Sequence, residues 1–168
     1  MKSSFREKYC KWHTRKPTTT AKVHPLDEID RAIIAALTRN GRMTIKKVAE
    51  QIGLSSPSVS ERIKKMEDAG AIRGYTVVID PTVFGLGVEA HVRVHAIPGK
   101  ANKVEQMLFD APEVVKAERV TGADCFVATV VVGDAQKLQT VIEPFQLFAS
   151  TDTAIILSPV VARRLPKL

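Results

Sequence analysis

Residues 44–70, TIKKVAEQIGLSSPSVSERIKKMEDAG, constrain the fold more than any other stretch of this chain. Apolar residues recur at helical spacing on both sides of Gly53, which predicts two short amphipathic helices joined by a tight corner. Gly53 suits the corner because glycine readily adopts the left-handed conformation that ends many helices. Ser55 or Ser56 can cap the second helix, with Pro57 near its first position, where the missing N–H costs nothing. The run is therefore typical of a helix-turn-helix.

The second of these helices has two chemically different faces. Val59, Ile63 and Met66 share the face that would be buried, whereas the opposite face is polar and basic. Small residues at the start of the helix allow close approach to base edges, and cations further along can reach phosphates or guanine. We expect the helix to enter the major groove of double-stranded DNA. The candidate DNA-binding residues are Arg42, Ser56, Pro57, Ser58, Glu61, Arg62, Lys64 and Lys65.

These candidates are expected to play different parts. Arg62 and Lys65 would supply the main electrostatic contacts, and the two serines would bind phosphate or base edges. Lys64 and Arg42 would anchor the DNA backbone. The same pattern also fits two amphipathic helices of an ordinary helical core, with a charged face that is merely solvated.

The charge of the chain is concentrated near its beginning. The formal net charge of the 168 residues is +7, of which residues 1–25 carry +6, residues 26–76 carry +2 and the remainder carries −1. A basic excess suits a polyanionic partner. Residues 1–25 have no apolar period and are predicted to form a flexible basic tail, which could lie along DNA phosphates, act as a transit peptide or be dispensable.

Cysteine usage and hydropathy indicate a cytoplasmic protein without a membrane partner. Cys10 and Cys125 are too few and too widely separated to suggest a disulfide framework. No apolar run reaches transmembrane length, and the basic start does not lead into the apolar segment of a signal peptide.

Two further elements complete the predicted N-terminal domain. Residues 26–40 carry apolar side chains at helical spacing and acidic residues at their start, which predicts a third helix. Residues 72–79 predict one strand or a small wing. The expected domains are 26–74 for the helix-turn-helix, 75–87 for the strand and linker, and 88–164 for ligand binding and oligomerisation.

The second half of the chain alternates strands and helices. Strands are predicted over 88–97, 114–120, 125–132 and 151–160, and helices over 102–110 and 135–148. This βαββαβ order is the ferredoxin-like split unit, so the predicted fold class is α+β, with a trihelical (winged) helix-turn-helix domain preceding a ferredoxin-like domain. Two helices cover one face of such a sheet, and the other face is expected to meet a second copy of the chain, with Val130 as a candidate for that seam.

In sequence the chain resembles the Lrp/AsnC ("feast/famine") transcription regulators from about residue 26 to residue 164. The segments that carry the resemblance are LDEIDRAIIAALTRNGR, VAEQIGLSSPSVSERIKKME, GAIRGYTVVIDP, RVTGADCF and TAIILSPV, in that order. The resemblance implies a homodimer built through the C-terminal sheet, assembly into tetramers or octamers, and bending or wrapping of DNA. It also implies that an amino acid or related small-molecule effector binds between C-terminal domains.

The effector site matches the family less well than the rest of the chain does. Thr151 and Thr153 match a Thr-rich start to the last strand, but Asp152 and Ala154 replace commoner Thr and Ser. Gly122, Asp124 and Phe126 match the family's loop before the third strand of this domain, whereas Ala123 departs from members with an acidic or polar residue there. Asp124 could accept hydrogen bonds from a ligand ammonium or amide group. The loop also fits an ordinary hairpin turn. The candidate effector-binding residues are Gly122, Asp124, Thr151 and Thr153.

The sequence offers no strong sign of catalysis, and no cofactor or metal is expected. Alternate strand positions lie about 7 Å apart, so His91 and His95 are too distant to chelate one metal. Cys125 leads an apolar strand and is interpreted as a structural thiol. Some proteins that resemble this family in both domains are haem-synthesis enzymes that decarboxylate sirohaem, which is the alternative function. A third interpretation is a ligand sensor whose N-terminal domain no longer binds DNA.

Overall fold

The computed structural model describes residues 25–161, which divide into two compact units after Val78. The described part of the N-terminal unit contains three helices, α1 (Glu28–Arg39), α2 (Ile45–Ile52) and α3 (Ser56–Asp68). The C-terminal unit contains β1 (Val88–Ala96), α4 (Ala101–Asp110), β2 (Val114–Arg119), β3 (Phe126–Val132), α5 (Ala135–Ile142) and β4 (Ala149–Ile155). Short 3-10 turns occupy Pro81–Phe84 and Glu143–Leu147. The basic tail predicted for residues 1–25 lies outside the described residues, apart from its last residue.

Local capping fixes the ends of the N-terminal helices. The Asp27 carboxylate accepts a hydrogen bond from the backbone N–H of Asp30 at 2.7 Å, and the Thr44 hydroxyl caps α2. Gly53 ends α2 in the left-handed conformation, with a φ of 76°, as the sequence predicts. Of the two candidate serines, Ser55 is the cap of α3. These caps satisfy backbone donors that the helix starts would otherwise leave unpaired.

The three N-terminal helices pack around a small apolar cluster. Its most buried members are Ile33, Val48, Val59 and Met66, each at most 1% exposed. The helical spacing of Ile45, Val48, Ala49 and Ile52 predicts that all four are buried, but Ile45 is 41% exposed at the first turn of α2. The trihelical unit predicted from the sequence is otherwise confirmed.

The segment that follows α3 is not the predicted strand. Within the part of the chain that the structure describes, residues 73–80 pair with no neighbouring strand, and Val77 and Val78 are 79% and 95% exposed. A strand is stabilised by a hydrogen-bonded partner, which this segment lacks within one chain. The apolar residues of this segment therefore have a high β propensity, but the segment does not form a strand within the described chain.

The C-terminal unit is the predicted ferredoxin-like domain. Its four strands form one antiparallel sheet in the order β2-β3-β1-β4, with the pairs Val92↔Ala128 and Val92↔Thr153 at its centre. Helices α4 and α5 contribute Val104, Leu108 and Leu138 to a core on one face. The last predicted strand is shorter than expected, and the helix predicted to span 135–148 ends at Ile142 before a 3-10 turn that contains Pro144.

Val130 is predicted to lie on the open face of the sheet, where a second copy of the chain would pack, but it lies on the face that the helices cover. It is 2% exposed and belongs to the core beneath α4 and α5. The prediction was wrong because β3 is apolar almost throughout, so its sequence has no alternation that distinguishes one face from the other. The open face instead carries Thr129 of β3 beside His91 of β1.

Candidate DNA-binding surface and effector loop

Helix α3 buries one side in the N-terminal core and presents the other to solvent. Val59, Ile63 and Met66 form the buried side. The sequence-predicted DNA-binding residues Pro57, Ser58, Glu61, Lys64 and Lys65 are exposed, while Ser56 and Arg62 are partly buried. The helix therefore carries its polar and basic residues on the side that a DNA groove would meet.

The start of α3 is organised by two serines. The Ser55 hydroxyl accepts a hydrogen bond from the backbone N–H of Ser58 at 3.3 Å, and the two hydroxyl oxygens lie 2.8 Å apart. The side chain of Ser58 is thus oriented by the cap. A positive helix end with oriented hydroxyls can approach a phosphate or a base edge closely.

The cations of this unit differ in their partners. Lys65 pairs with Glu61 at 2.8 Å, one helical turn away, and this pair lowers the pKa of Glu61. Lys64 and Arg42 have no ion-pair partner among residues 25–161. The backbone N–H of Arg42 donates to the Asn40 side chain at 3.0 Å, which fixes the turn that presents this arginine. Lys64 and Arg42 are therefore the better placed of the predicted cations to neutralise phosphates.

Arg62 has intramolecular partners that the sequence did not reveal. Its Nη1 donates to Asp27 Oδ2 at 2.7 Å and to Asp30 Oδ1 at 2.8 Å. The backbone N–H of Asp30 and then the Arg62 guanidinium lower the pKa of Asp27, and the carboxylates of Asp27 and Asp30 raise the pKa of Arg62. We call these three residues the Asp–Arg clamp. The sequence did show the two aspartates at the helix start, but their closeness to residue 62 depends on the packing of α1 against α3.

His95 contacts two residues of the predicted effector loop. Gly122 adopts a φ of 110°, which L side chains rarely do. His95 Nδ1 lies 3.1 Å from the Ala123 carbonyl oxygen, and Nε2 lies 2.8 Å from Asp124 Oδ1. The sequence did not reveal this contact, because His95 and Ala123 lie 28 positions apart and no local pattern joins them. The Asp124 side chain is 27% exposed, so a small molecule can still reach it.

The two predicted threonines lie apart from Asp124 within one chain. Thr151 and Thr153 pair directly with Val94 and Val92, so they lie on the helix-covered side of the sheet. His95 is on the opposite side of β1, and it holds Asp124 there. The structure thus brings Gly122 and Asp124 together but not the threonines with them.

Other candidate chemistry adds little to these two regions. Within residues 25–161, no group of three or more His, Cys, Asp or Glu side chains could hold a metal ion. Cys125 is a partly buried free thiol beside the core of the C-terminal unit. No helix of the described part is long and apolar enough to span a membrane.

Comparisons with known proteins define the class of this molecule. The family description "Winged helix-turn-helix DNA-binding" matches residues 26–73, and "Lrp/AsnC ligand binding domain" matches residues 89–166. The HTH-type transcriptional regulator FL11 of Pyrococcus horikoshii is 30% identical over 119 residues, which cover 71% of this chain and 79% of that protein. The protein is thus a DNA-binding regulator with an attached ligand-binding domain.

Solved structures agree with this class. LrpC of Bacillus subtilis has a TM-score of 0.77 at 27% identity, and the match covers 82% of this chain and 99% of that one. A Neisseria meningitidis transcriptional regulator in complex with L-methionine has a TM-score of 0.77 at 25% identity, covering 84% and 96%. The chain belongs to the Lrp/AsnC family of transcriptional regulators.

Proposed function

We propose that this regulator binds operator DNA through α3 as a homodimer or larger homo-oligomer, and that an amino acid or related molecule alters its assembly or DNA affinity. The observation that carries the DNA-binding part is the exposed polar side of α3, with an ordered cap at its start and Lys64 further along. The relatives are described as transcriptional regulators, which supports a role in binding rather than in catalysis. They give no support to a sirohaem decarboxylase. We place the protein with chromosomal DNA in the cytoplasm.

The DNA contacts fall into two groups. Pro57, Ser56 and Ser58 at the start of α3 would approach base edges or phosphates, because small residues let the helix end come close. Lys64 and Arg42 would bind the phosphate backbone. Lys65 would contribute less than its exposure suggests, because Glu61 offsets part of its charge.

Replacing Lys64 tests this surface directly. Lys64→Ala should weaken binding to duplexes of different sequence to a similar degree and lower the salt slope of the binding constant by about one unit. Fluorescence anisotropy with the chain's own upstream region, at several salt concentrations, measures both quantities. Lys103→Ala, an exposed lysine on α4, is the matched control and should leave both unchanged. Unchanged affinity and salt slope in Lys64→Ala would exclude this residue from the interface.

Effector binding is proposed at the loop that holds Gly122 and Asp124. The glycine lets a ligand approach the backbone, and the carboxylate can accept hydrogen bonds from an amino-acid ammonium group. The structural relative in complex with L-methionine supports this ligand class. Thr151 and Thr153 would join the site only from a second copy of the chain, because one chain keeps them apart from Asp124.

Calorimetric titration with the free amino acids tests the effector proposal. Asp124→Asn should weaken binding of the amino acid that the wild-type protein prefers, because it removes the charge that meets the ammonium group. Asp110→Asn, outside the loop, is the control. Sedimentation velocity with and without the ligand then reports whether assembly changes. Equal affinities in wild type and Asp124→Asn would place the effector elsewhere.

A further inference from the structure

The Asp–Arg clamp joins the middle of α3 to the beginning of α1. Arg62 Nη1 reaches two carboxylates, at 2.7 Å and 2.8 Å, across sequence separations of 35 and 32 residues. The side chain of Asp30 is only 6% exposed, whereas those of Asp27 and Arg62 are 49% and 31% exposed. Among residues 25–161, Asp30 is the one charged residue that is buried.

Both carboxylates also cap α1. Asp27 accepts from the Asp30 backbone N–H at 2.7 Å, and Asp30 accepts from the Asp27 backbone N–H at 3.3 Å. The guanidinium therefore meets two acceptors that the capping box already holds in place. A fixed pair of acceptors defines the direction of the Arg62 side chain and, through it, the rotation of α3 about its own axis.

Withdrawing Arg62 from this arrangement would be costly. If the guanidinium swung out to a phosphate, the Asp30 carboxylate would stay buried without its cation, and such an unpaired charge is strongly destabilising. Lys64 lies on the same helix and forms no ion pair within residues 25–161. Phosphate contact is therefore better supplied by Lys64 than by Arg62.

We propose that Arg62 is a positioning residue that sets the orientation of α3 for DNA, and that Asp27 and Asp30 are required for DNA affinity although they are acidic. This inference rests on the proposed binding of DNA through α3. It revises the expectation that Arg62 itself supplies a main electrostatic contact.

Arg62 could either bind DNA directly or position α3, and removal of the charge on Asp27 changes DNA affinity in opposite directions in these two cases. If Arg62 binds DNA on its own, removing a neighbouring negative charge frees the arginine and reduces repulsion, so affinity rises. If Arg62 positions α3, the same change loosens the helix and affinity falls. Asp27→Asn is the variant of choice, because Asp27 is half exposed and the protein can tolerate the change more readily than one at Asp30.

Glu28→Gln is the matched control for charge. Glu28 lies next to Asp27, in the first turn of α1, and is exposed. The substitution removes the same charge from the same helix end without touching the clamp. Its affinity for DNA should equal or slightly exceed that of the wild type.

Anisotropy titrations of the full chain test the inference, at a temperature where circular dichroism shows each variant folded. Asp27→Asn and Arg62→Gln should each weaken specific binding, on the order of tenfold for Arg62→Gln, and narrow the ratio of specific to non-specific affinity. The salt slope of Arg62→Gln should stay at the wild-type value. The double variant should bind no more weakly than Arg62→Gln, because the two residues act as one unit.

Two outcomes would overturn the clamp's role. One is tighter DNA binding by Asp27→Asn than by Glu28→Gln, and the other is a salt slope that falls by about one unit in Arg62→Gln. If Arg62→Gln does not fold, the affinity of Asp27→Asn relative to Glu28→Gln decides alone. A wild-type chain that binds no duplex would defeat the proposed function instead, so the two failures are distinguishable.

Discussion

The two units of this protein use charged residues in opposite ways. In the N-terminal unit, one buried carboxylate and one arginine join helices that are distant in sequence. In the C-terminal unit, ion pairs such as Arg93–Asp152 and Lys116–Glu118 lie on the exposed surface of the sheet. Exposed pairs contribute little, whereas breaking a buried pair is expensive.

The apolar cores explain the difference. Among residues 25–161, the N-terminal cluster has seven buried residues and the C-terminal cluster has twelve. A smaller core leaves more of the stability and geometry to individual polar contacts. We therefore expect the sheet domain to tolerate the loss of single exposed ion pairs, whereas the proposed orientation of α3 by Arg62 would be lost with one pair.

The largest expected effect breaks the C-terminal unit alone. Val130→Asp places a charge among Val92, Leu108 and Phe145, and should cost about 4 kcal/mol or more, enough to unfold this domain. Hydrogen–deuterium exchange resolves the two units. It should show rapid exchange throughout the sheet while α1 to α3 stay protected, because each unit has its own core.

Thr129→Asp is the control for that substitution. Thr129 is the neighbouring residue on the open face of β3 and is partly exposed. The domain should remain folded in this variant. Protected sheet amides in Val130→Asp would contradict the assignment of Val130 to the core.

Paired truncations sharpen the comparison between the two cores. Met66→Ala and Leu108→Ala remove large side chains that are 1% and 5% exposed, and each should cost about 2–5 kcal/mol. The same loss is a larger fraction of the stability of the smaller unit. Urea titrations followed by amide exchange should therefore show a greater fall in midpoint for α1 to α3 in Met66→Ala than for the sheet in Leu108→Ala. Equal falls in the urea midpoint would mean that the two units have similar free energies of unfolding.

The smallest expected effect is a loss of stability of the N-terminal unit at acid pH. The Asp30 backbone N–H and Arg62 lower the pKa of Asp27 below its ordinary value of 3.8. A carboxylate with a lowered pKa in the folded state contributes stability above its ordinary pKa, and this contribution is lost as the pH falls through the folded value. Thermal unfolding measured from pH 6 downward should show a shallower acid decline in Asp27→Asn than in the wild type. Identical pH profiles would show that the clamp contributes no measurable stability.

Features encoded by neighbouring residues were predictable from the sequence. A serine cap at residue 55 or 56, the left-handed Gly53 and the βαββαβ order follow from local preferences and periodicity, and the structure confirms them, with Ser55 as the cap. The bonding of His95 to the effector loop joins residues 28 positions apart, so no local signal contained it. The strand predicted for residues 72–79 is absent for a related reason. A strand needs a hydrogen-bonded partner, and β propensity in the sequence does not show whether a partner is present.

The paired serines at the start of α3 have a consequence for operator choice. The bond between the Ser55 and Ser58 oxygens can run in either direction, because each hydroxyl both donates and accepts. When Ser55 donates, the Ser58 proton is released outward, and when Ser58 donates, only its lone pairs face outward. If the start of α3 meets base edges as we propose, the same helix end can therefore face either a donor or an acceptor on a base.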